Sequence, residues 1–408
     1  MEPVAPAPLA RNRDFLLLQS GQLLSNAGTQ ATSIAYPLLV LALTHSAGDA
    51  GIVGFVRSAG VVACTLPAGA AADRWARRTL MIAADGLRLA AVAGLGVTLV
   101  VHGVVLWGIA VVALVEGAGT AIFTSAQAGA VRSVVPPSQL PAAAAAQSGR
   151  RAAVQLVGPP LGGALFGLAR SLPFLVDAGS YLLSTASLLA MRTPFQQERA
   201  ADPAPLRRRV AEGFRFLWSQ PFLRTSALAF GAGNFIGPGL LLALVVVARR
   251  HGLAAGAVGG LVATFGASVL AGALLSAVIR RRLRPRQILL TELWAATAVV
   301  AFLAWPSPYV LAASLIPTAL VIPSSDSVVH GYRIAMTPDR LLGRAEAARS
   351  LVSLSFSPLG PLVAGFLLEV SARVAVAVFG SVAVALAVWG TLSPALRVTP
   401  PLEEVEWA

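Results

Sequence analysis

Three ionisable residues sit inside long apolar runs, where a charge is hardest to keep: Arg57, Glu116 and Asp326. At the middle of a membrane helix each costs about 2.5 to 3.5 kcal/mol on insertion scales, so each demands a partner or a function. Glu116 is followed by the small residues Gly117 and Gly119. A carboxylate so placed can load and release a proton, or it can hold a permanent ion pair with Arg57. The two roles overlap if the pair opens on demand. Asp326 follows Pro323 and precedes His330 by one helical turn, on the same face. Such a pair can share a proton or hold a cation, although His330 alone reads more simply as an interfacial packing residue. Gln22, Asn26 and Gln30 recur every four residues as a polar stripe, and Asn234 stands in a later apolar run. They either face a polar cavity or tie helices together through hydrogen bonds. Asp85 and Arg88 read as an intrahelical pair, and Glu292 as a partner for the arginines between 280 and 286; both readings are structural.

The elements that must position these residues are membrane helices. Of 408 residues, 56% are hydrophobic and 12% charged, far from the roughly one quarter charged in soluble domains. At about 20 apolar residues per crossing, helices are expected near 14–43, 50–72, 79–101, 104–127, 145–169 and 172–191. Six more are expected near 224–248, 255–279, 287–305, 309–335, 346–369 and 373–393. The loops on one side then collect most arginines, among them Arg132, Arg192, Arg207 to Arg209, Arg280 to Arg282 and Arg340, while the other side has only Arg170, Arg249, Arg250 and Arg373. By the positive-inside rule both termini are cytoplasmic and the segment Met1 to Arg13 stays as a tail.

Composition also excludes. The formal charge of +13 sits in short loops with no continuous basic face, which argues for membrane orientation rather than nucleic acid. All 31 basic residues are arginine, so neither a Walker A lysine nor a Schiff-base lysine is available. Cys64 is the single cysteine, and the four histidines are scattered; no cofactor, metal site or intrachain disulfide is expected.

Between the sixth and seventh runs, Thr193 to Gln220 is the longest polar stretch. It divides the chain into residues 1–192, a linker over 193–222, and residues 223–408. Within the linker Leu206, Val210, Phe214 and Leu217 recur at helical spacing opposite Arg207, Arg208, Glu212 and Arg215. This is an amphipathic helix, either on the anionic inner leaflet or solvated. The halves also repeat: Gly272, Arg280 and Arg281 match Gly69, Arg77 and Arg78, with Ser276 where Asp73 stands. Further on, Arg132, Pro137, Leu140 and Pro160 recur as Arg333, Pro338, Leu341 and Pro361.

The loop after the second run carries Gly69, Asp73, Arg74, Arg77 and Arg78 in the pattern G-x-x-x-D-R-x-x-R-R. It resembles the signature between helices 2 and 3 of the major facilitator superfamily, with Ala76 where a second glycine is usual. Gly69 would permit close helix approach and the charges would act as a latch; fixing topology is the plainer role. The fifth run holds Gly158, Pro159, Gly162 and Gly163 as GPPLGG. This is similar to the antiporter motif of drug:proton exporters, although Val154 departs from its upstream glycine pattern and tight packing alone would explain a short string. Segments such as DGLR from Asp85, VDAGSYLLS from Val176, EGFRFLWSQPFLR from Glu212 and PDRLLGRAEA from Pro338 resemble the branch of macrolide efflux pumps and the enterobactin exporter.

The resemblance implies an all-α integral membrane fold, with twelve transmembrane helices in two parallel-repeat six-helix bundles. It implies that the fourth and tenth helices line a cavity and the sixth is peripheral, which gives Asp177 structural work. It further implies proton-coupled efflux of an amphipathic small molecule across the cytoplasmic membrane by a monomer, with protons, substrate and lipids as partners and no nucleic acid. Importer or facilitator activity fits the same helix count. A receptor or intramembrane enzyme is the reading from another class, and residues such as Ser125 lack a catalytic setting for it.

Overall fold

A computed structural model describes residues 9–101, 104–193, 206–338 and 341–397. Among them every regular element is helical. The helices are α1 (Arg13–Thr44), α2 (Ala47–Arg74), α3 (Arg77–Val101), α4 (Leu106–Val134), α5 (Leu140–Leu168) and α6 (Leu172–Ala190). After these come α7 (Leu206–Ser219), α8 (Pro221–Arg250), α9 (Ala255–Arg282), α10 (Pro285–Ala295), α11 (Ala301–Ala304) and α12 (Pro308–Met336). The chain ends in α13 (Leu342–Ser355), α14 (Leu359–Val370), α15 (Ala372–Leu392) and α16 (Pro394–Arg397).

Among the described residues ten helical stretches are long and apolar enough to cross a membrane; α10 with α11 forms one, and α13 with α14 another. With 32 and 29 residues, α1 and α5 are also long enough, and the polar side chains Gln22, Gln30, Arg150 and Gln155 explain their lower apolarity. Counting them gives the twelve crossings expected.

The surface is inside out relative to a soluble domain. Leu168 is 78% exposed and Leu274 77%, whereas Glu116, Asp85 and Asp177 are each 0% exposed. Hydrocarbon outside and satisfied polar groups inside is what a bilayer solvent demands.

Helix ends follow local chemistry. Asn12 opens α1 by accepting the Phe15 amide at 3.0 Å, and Ser371 opens α15 by accepting from Arg373 and Val374. Arg280, Arg281 and Arg282 close α9, where the dipole favours cations. The fourth helix runs seven residues beyond its expected end at 127, to Val134, because no breaker intervenes until Val135 turns extended before Pro136. The span expected near 346–369 is broken between Ser355 and Leu359, where Pro358 intervenes.

The chain forms two compact units, one of residues 1–39 with 56–202 and the other of 40–55 with 203–408. In the first, Met81, Ala126, Ala130 and Leu188 lie in the core of α3, α4 and α6. In the second, Leu217, Leu289, Val328 and Tyr332 bring α7, α10 and α12 together. In place of the leaflet or solvent expected for it, the apolar face of α7 is buried on protein: Leu217 is 1% exposed, Gly213 lies against the Arg344 carbonyl, and Glu212 pairs with Arg344 of α13. Residues 194–205 of the expected linker, Arg340, and the tails 1–8 and 398–408 lie outside the described residues.

Candidate functional site

In the first unit, α2 and α4 cross at glycines. A Cβ on Gly117 would meet the Arg57 carbonyl, and one on Gly60 the Leu114 carbonyl. This close approach lets Arg57 of α2 reach Glu116 of α4, with Nη2 2.7 Å from Oε1. The expected pair is therefore present. Glu116 is fully buried, while the Arg57 side chain keeps 26% exposure, so one partner is accessible and the other sealed. Tyr36 of α1 completes the group, its ring centroid 5.9 Å from the guanidinium. Its hydroxyl and Glu116 Oε2 are buried without a hydrogen-bond partner among the described residues.

A second buried set lies beside the first. Asp85 and Arg88 form the expected intrahelical pair on α3. The Arg88 guanidinium also lies 4.8 Å from the Phe123 ring centroid and 4.5 Å from that of Tyr181, a placement that offsets its desolvation. Asp177 of α6 is held by Thr32 Oγ1 at 3.0 Å and Ser180 Oγ at 3.1 Å. Tyr181 reaches Thr29 at 2.9 Å. Electrostatically the two sets are one cluster, since Arg88 feels Asp85, Asp177 and Glu116 together.

The polar stripe of α1 divides. Gln22 is buried and accepts from Gln127 and Arg150; Gln19 accepts from Arg150 at 2.6 Å. Asn26 is exposed. Gly158 of α5 packs against Gln30, and a Cβ on Gly162 would strike the Ala31 backbone. The glycines of the GPPLGG string therefore seat α5 on α1, with Pro159 and Pro160 interrupting its ladder. Gly163 is buried beside them.

In the loop motif, Arg78 donates to the Leu189 carbonyl at 2.6 Å and the Arg77 guanidinium fills the space over Gly129. Arg74 and Asp73 are exposed. The close approach expected at Gly69 is not made: a Cβ there would meet nothing within 4 Å.

The second unit differs from expectation at its acids. Asp326 is exposed and has no hydrogen bond or ion pair among the described residues; its charged neighbours are Arg349 and Glu292. The expected Asp326–His330 pair is absent, because His330 Nδ1 accepts from Arg333 instead. Arg333 binds Glu346 at 2.7 Å, and Glu346 binds Arg349 at 2.7 Å, so a chain of charges links α12 to α13. Glu292 faces Asp326 rather than the arginines at 280–286. Asn234 donates to the Ser353 carbonyl at 3.0 Å and serves a helix contact. Glu346, Arg349 and Arg150 were not singled out in the sequence. The first two stand at the start of an expected helix, where charges are ordinary; Arg150 stands within one, and the cost of a buried charge was the signal for it.

Apolar helices around an interior of paired charges define a multi-pass α-helical membrane protein with a polar core. A sequence profile described as Major Facilitator Superfamily matches residues 19–331. The chain belongs to that superfamily. It is 29% identical over 375 residues to "Multidrug efflux pump Tap" of Mycolicibacterium fortuitum, covering 87% of this chain and 89% of the relative. The Mycobacterium tuberculosis H37Rv protein of the same name is 29% identical over 383 residues, 88% of each chain. Among solved structures, a bacterial homolog of the human lysosomal transporter Spinster superposes with a TM-score of 0.73 at 16% identity, covering 99% of this chain and 100% of that one. The nucleoside transporter NupG gives 0.72 at 13% identity, covering 95% and 100%. These likenesses show the shared fold.

Proposed function

We propose that this chain exports amphipathic small molecules across the cytoplasmic membrane by alternating access, in exchange for protons, working as a single chain with both termini cytoplasmic. The observation that carries the reading is the Arg57–Glu116 pair. A fully buried carboxylate that depends on one partly exposed arginine is a switch: a ligand or a proton that satisfies either partner releases the other. Export, rather than uptake, is supported by the likeness across almost nine tenths of both chains to proteins named multidrug efflux pumps. The arginine-rich loops support the orientation. The energy is sufficient, since one charge crossing 100 mV supplies about 2.3 kcal/mol, roughly a fifty-fold gradient of a neutral solute.

The test is accumulation of a panel of amphipathic antibiotics in cells stripped of their own pumps, with and without this protein and a protonophore. Lower accumulation that the protonophore abolishes is expected. Equal or higher accumulation across the panel overturns export. Glu116→Gln is expected to abolish the protonophore-sensitive component; efflux at the unaltered rate in that variant removes the residue from the coupling role.

A further inference from the structure

Charge counting in the first unit leaves one acid over. The buried cluster contains three carboxylates, Asp85, Glu116 and Asp177, and two guanidiniums, Arg57 and Arg88. Glu116 is taken by Arg57 and Asp85 by Arg88. Asp177 is fully buried with hydroxyls as its hydrogen-bond partners. A surplus negative charge sealed in a membrane interior is the arrangement proteins avoid.

Hydrogen counting points the same way. Each hydroxyl has one hydrogen to give. Thr32 Oγ1 lies 3.0 Å from the Thr29 carbonyl and 3.2 Å from the Gly28 carbonyl, as well as 3.0 Å from Asp177 Oδ2. Ser180 Oγ lies 2.7 Å from the Asp177 carbonyl and 3.1 Å from Asp177 Oδ1. Two hydrogens face five acceptor oxygens. If the hydroxyls donate to the helix carbonyls, as Ser and Thr on helices do, the Thr32 oxygen is left as an acceptor for a hydrogen on Asp177 Oδ2. That arrangement satisfies both residues.

We infer that Asp177 is a proton-binding site, occupied in this conformation, and that its proton exchanges with water when α1 separates from α6. Arg88 on α3, Glu116 on α4 and Tyr181 on α6 act on Asp177 directly, while Tyr36, Arg57 and Asp85 are tied to these three groups; α5 has no ionisable side chain between Ala152 and Leu168. Gly28 sets the seal, because a Cβ there would land on Asp177 and Ser180. The balance is simple. One proton from water adds to Asp177 Oδ2 when the site opens, cancelling the surplus charge, and returns to water at the next opening. This deepens the proposed exchange mechanism by naming its proton site, and it rests on that reading for its purpose.

The experiment is infrared difference spectroscopy on the purified full chain in phospholipid vesicles at neutral pH. A carbonyl band of a protonated carboxylic acid is expected in the wild type. It should disappear in Asp177→Asn and shift on transfer to deuterium oxide as the proton exchanges; in Asp85→Asn or Glu116→Gln, where two acids face two guanidiniums, it should weaken as Asp177 ionises. Thr32→Val keeps the acid but removes its acceptor, and should move the band to higher frequency even if Asp177→Asn folds poorly. Absence of the band in the wild type, its persistence in Asp177→Asn, or failure to exchange overturns the inference. The spectra need no transport, so failure of the accumulation assay with the band intact rejects export while leaving the proton site standing.

Discussion

The two bundles descend from one pattern yet keep their charges in opposite ways. In the first, Arg57, Glu116, Asp85, Arg88 and Asp177 are gathered in the interior around Tyr36, Phe123 and Tyr181. In the second, the repeat offset of about two hundred residues brings Gly260 to the place of Arg57 and Pro317 to Ala319 to that of Glu116. The charges there, Asp326, His330, Arg333, Glu346 and Arg349, lie on exposed or half-exposed faces near the ends of α12 and α13. The equivalent helix pairs both pack closely but at different positions: Gly117 of α4 meets the α2 backbone in one bundle, and Gly272 of α9, the counterpart of Gly69, meets the Leu320 backbone of α12 in the other. The scaffold was copied; the buried ion-pair cluster belongs to one copy, while the other keeps Glu292, an acid with no ion pair among the described residues, beside Asp326. Under the proposed exchange mechanism, the asymmetry would divide labour between coupling and support.

The comparison breaks most readily at the buried pair. Arg57→Ala strands Glu116 without a cation, and removing one partner of a buried pair costs about 3 to 5 kcal/mol. A large fall in the thermal midpoint of the detergent-purified protein is expected, with loss of efflux. Replacing both partners together, Arg57→Met with Glu116→Leu, should recover most of the midpoint and none of the proton-dependent efflux. Recovery of both would mean that the first bundle's charges serve packing alone.

Glycine substitutions give the next effect and compare the halves directly. Gly117→Ala and Gly272→Ala each push a methyl into facing backbone, and overpacking of this kind costs about 1 to 3 kcal/mol. Gly69→Ala meets open space and should leave the thermal midpoint unchanged. Equal losses at Gly117 and Gly272 would show that the crossings are mechanically alike despite their different chemistry.

What the sequence revealed follows the cost of each feature. Apolar runs fixed the helices closely because a bilayer tolerates little else, and Glu116 with Arg57 drew notice because a midspan charge is expensive. Asp177 offered no such signal of its role. Its satisfying hydroxyl on Thr32 lies 145 residues away, and only the packed α1–α6 face shows that no arginine is left for it. Asp326 failed in the other direction: one helical turn put it beside His330 in principle, but the fold gave His330 to Arg333. The Glu346 network required knowing that α13 begins next to the end of α12, which no local pattern encodes.

The exposed network of the second bundle supplies a smaller test. Glu346 bridges Arg333 and Arg349 with its side chain 39% exposed, and ion pairs of this accessibility contribute about 0 to 1 kcal/mol. Glu346→Gln should lower the thermal midpoint only slightly at low ionic strength. The difference from wild type should shrink further as salt is raised, because accessible charges are screened over a Debye length of about 10 Å at 0.1 M. The Arg57→Ala deficit, by contrast, should be nearly independent of salt, since Glu116 is sealed from solvent. Salt titration of the two variants side by side therefore reads the asymmetry as a single measurable difference. If both deficits fade together, Glu116 is reached by ions and the first bundle is open where the structure has it closed. If neither fades, the second bundle's network is buried in the membrane-embedded protein and shares in the interior chemistry.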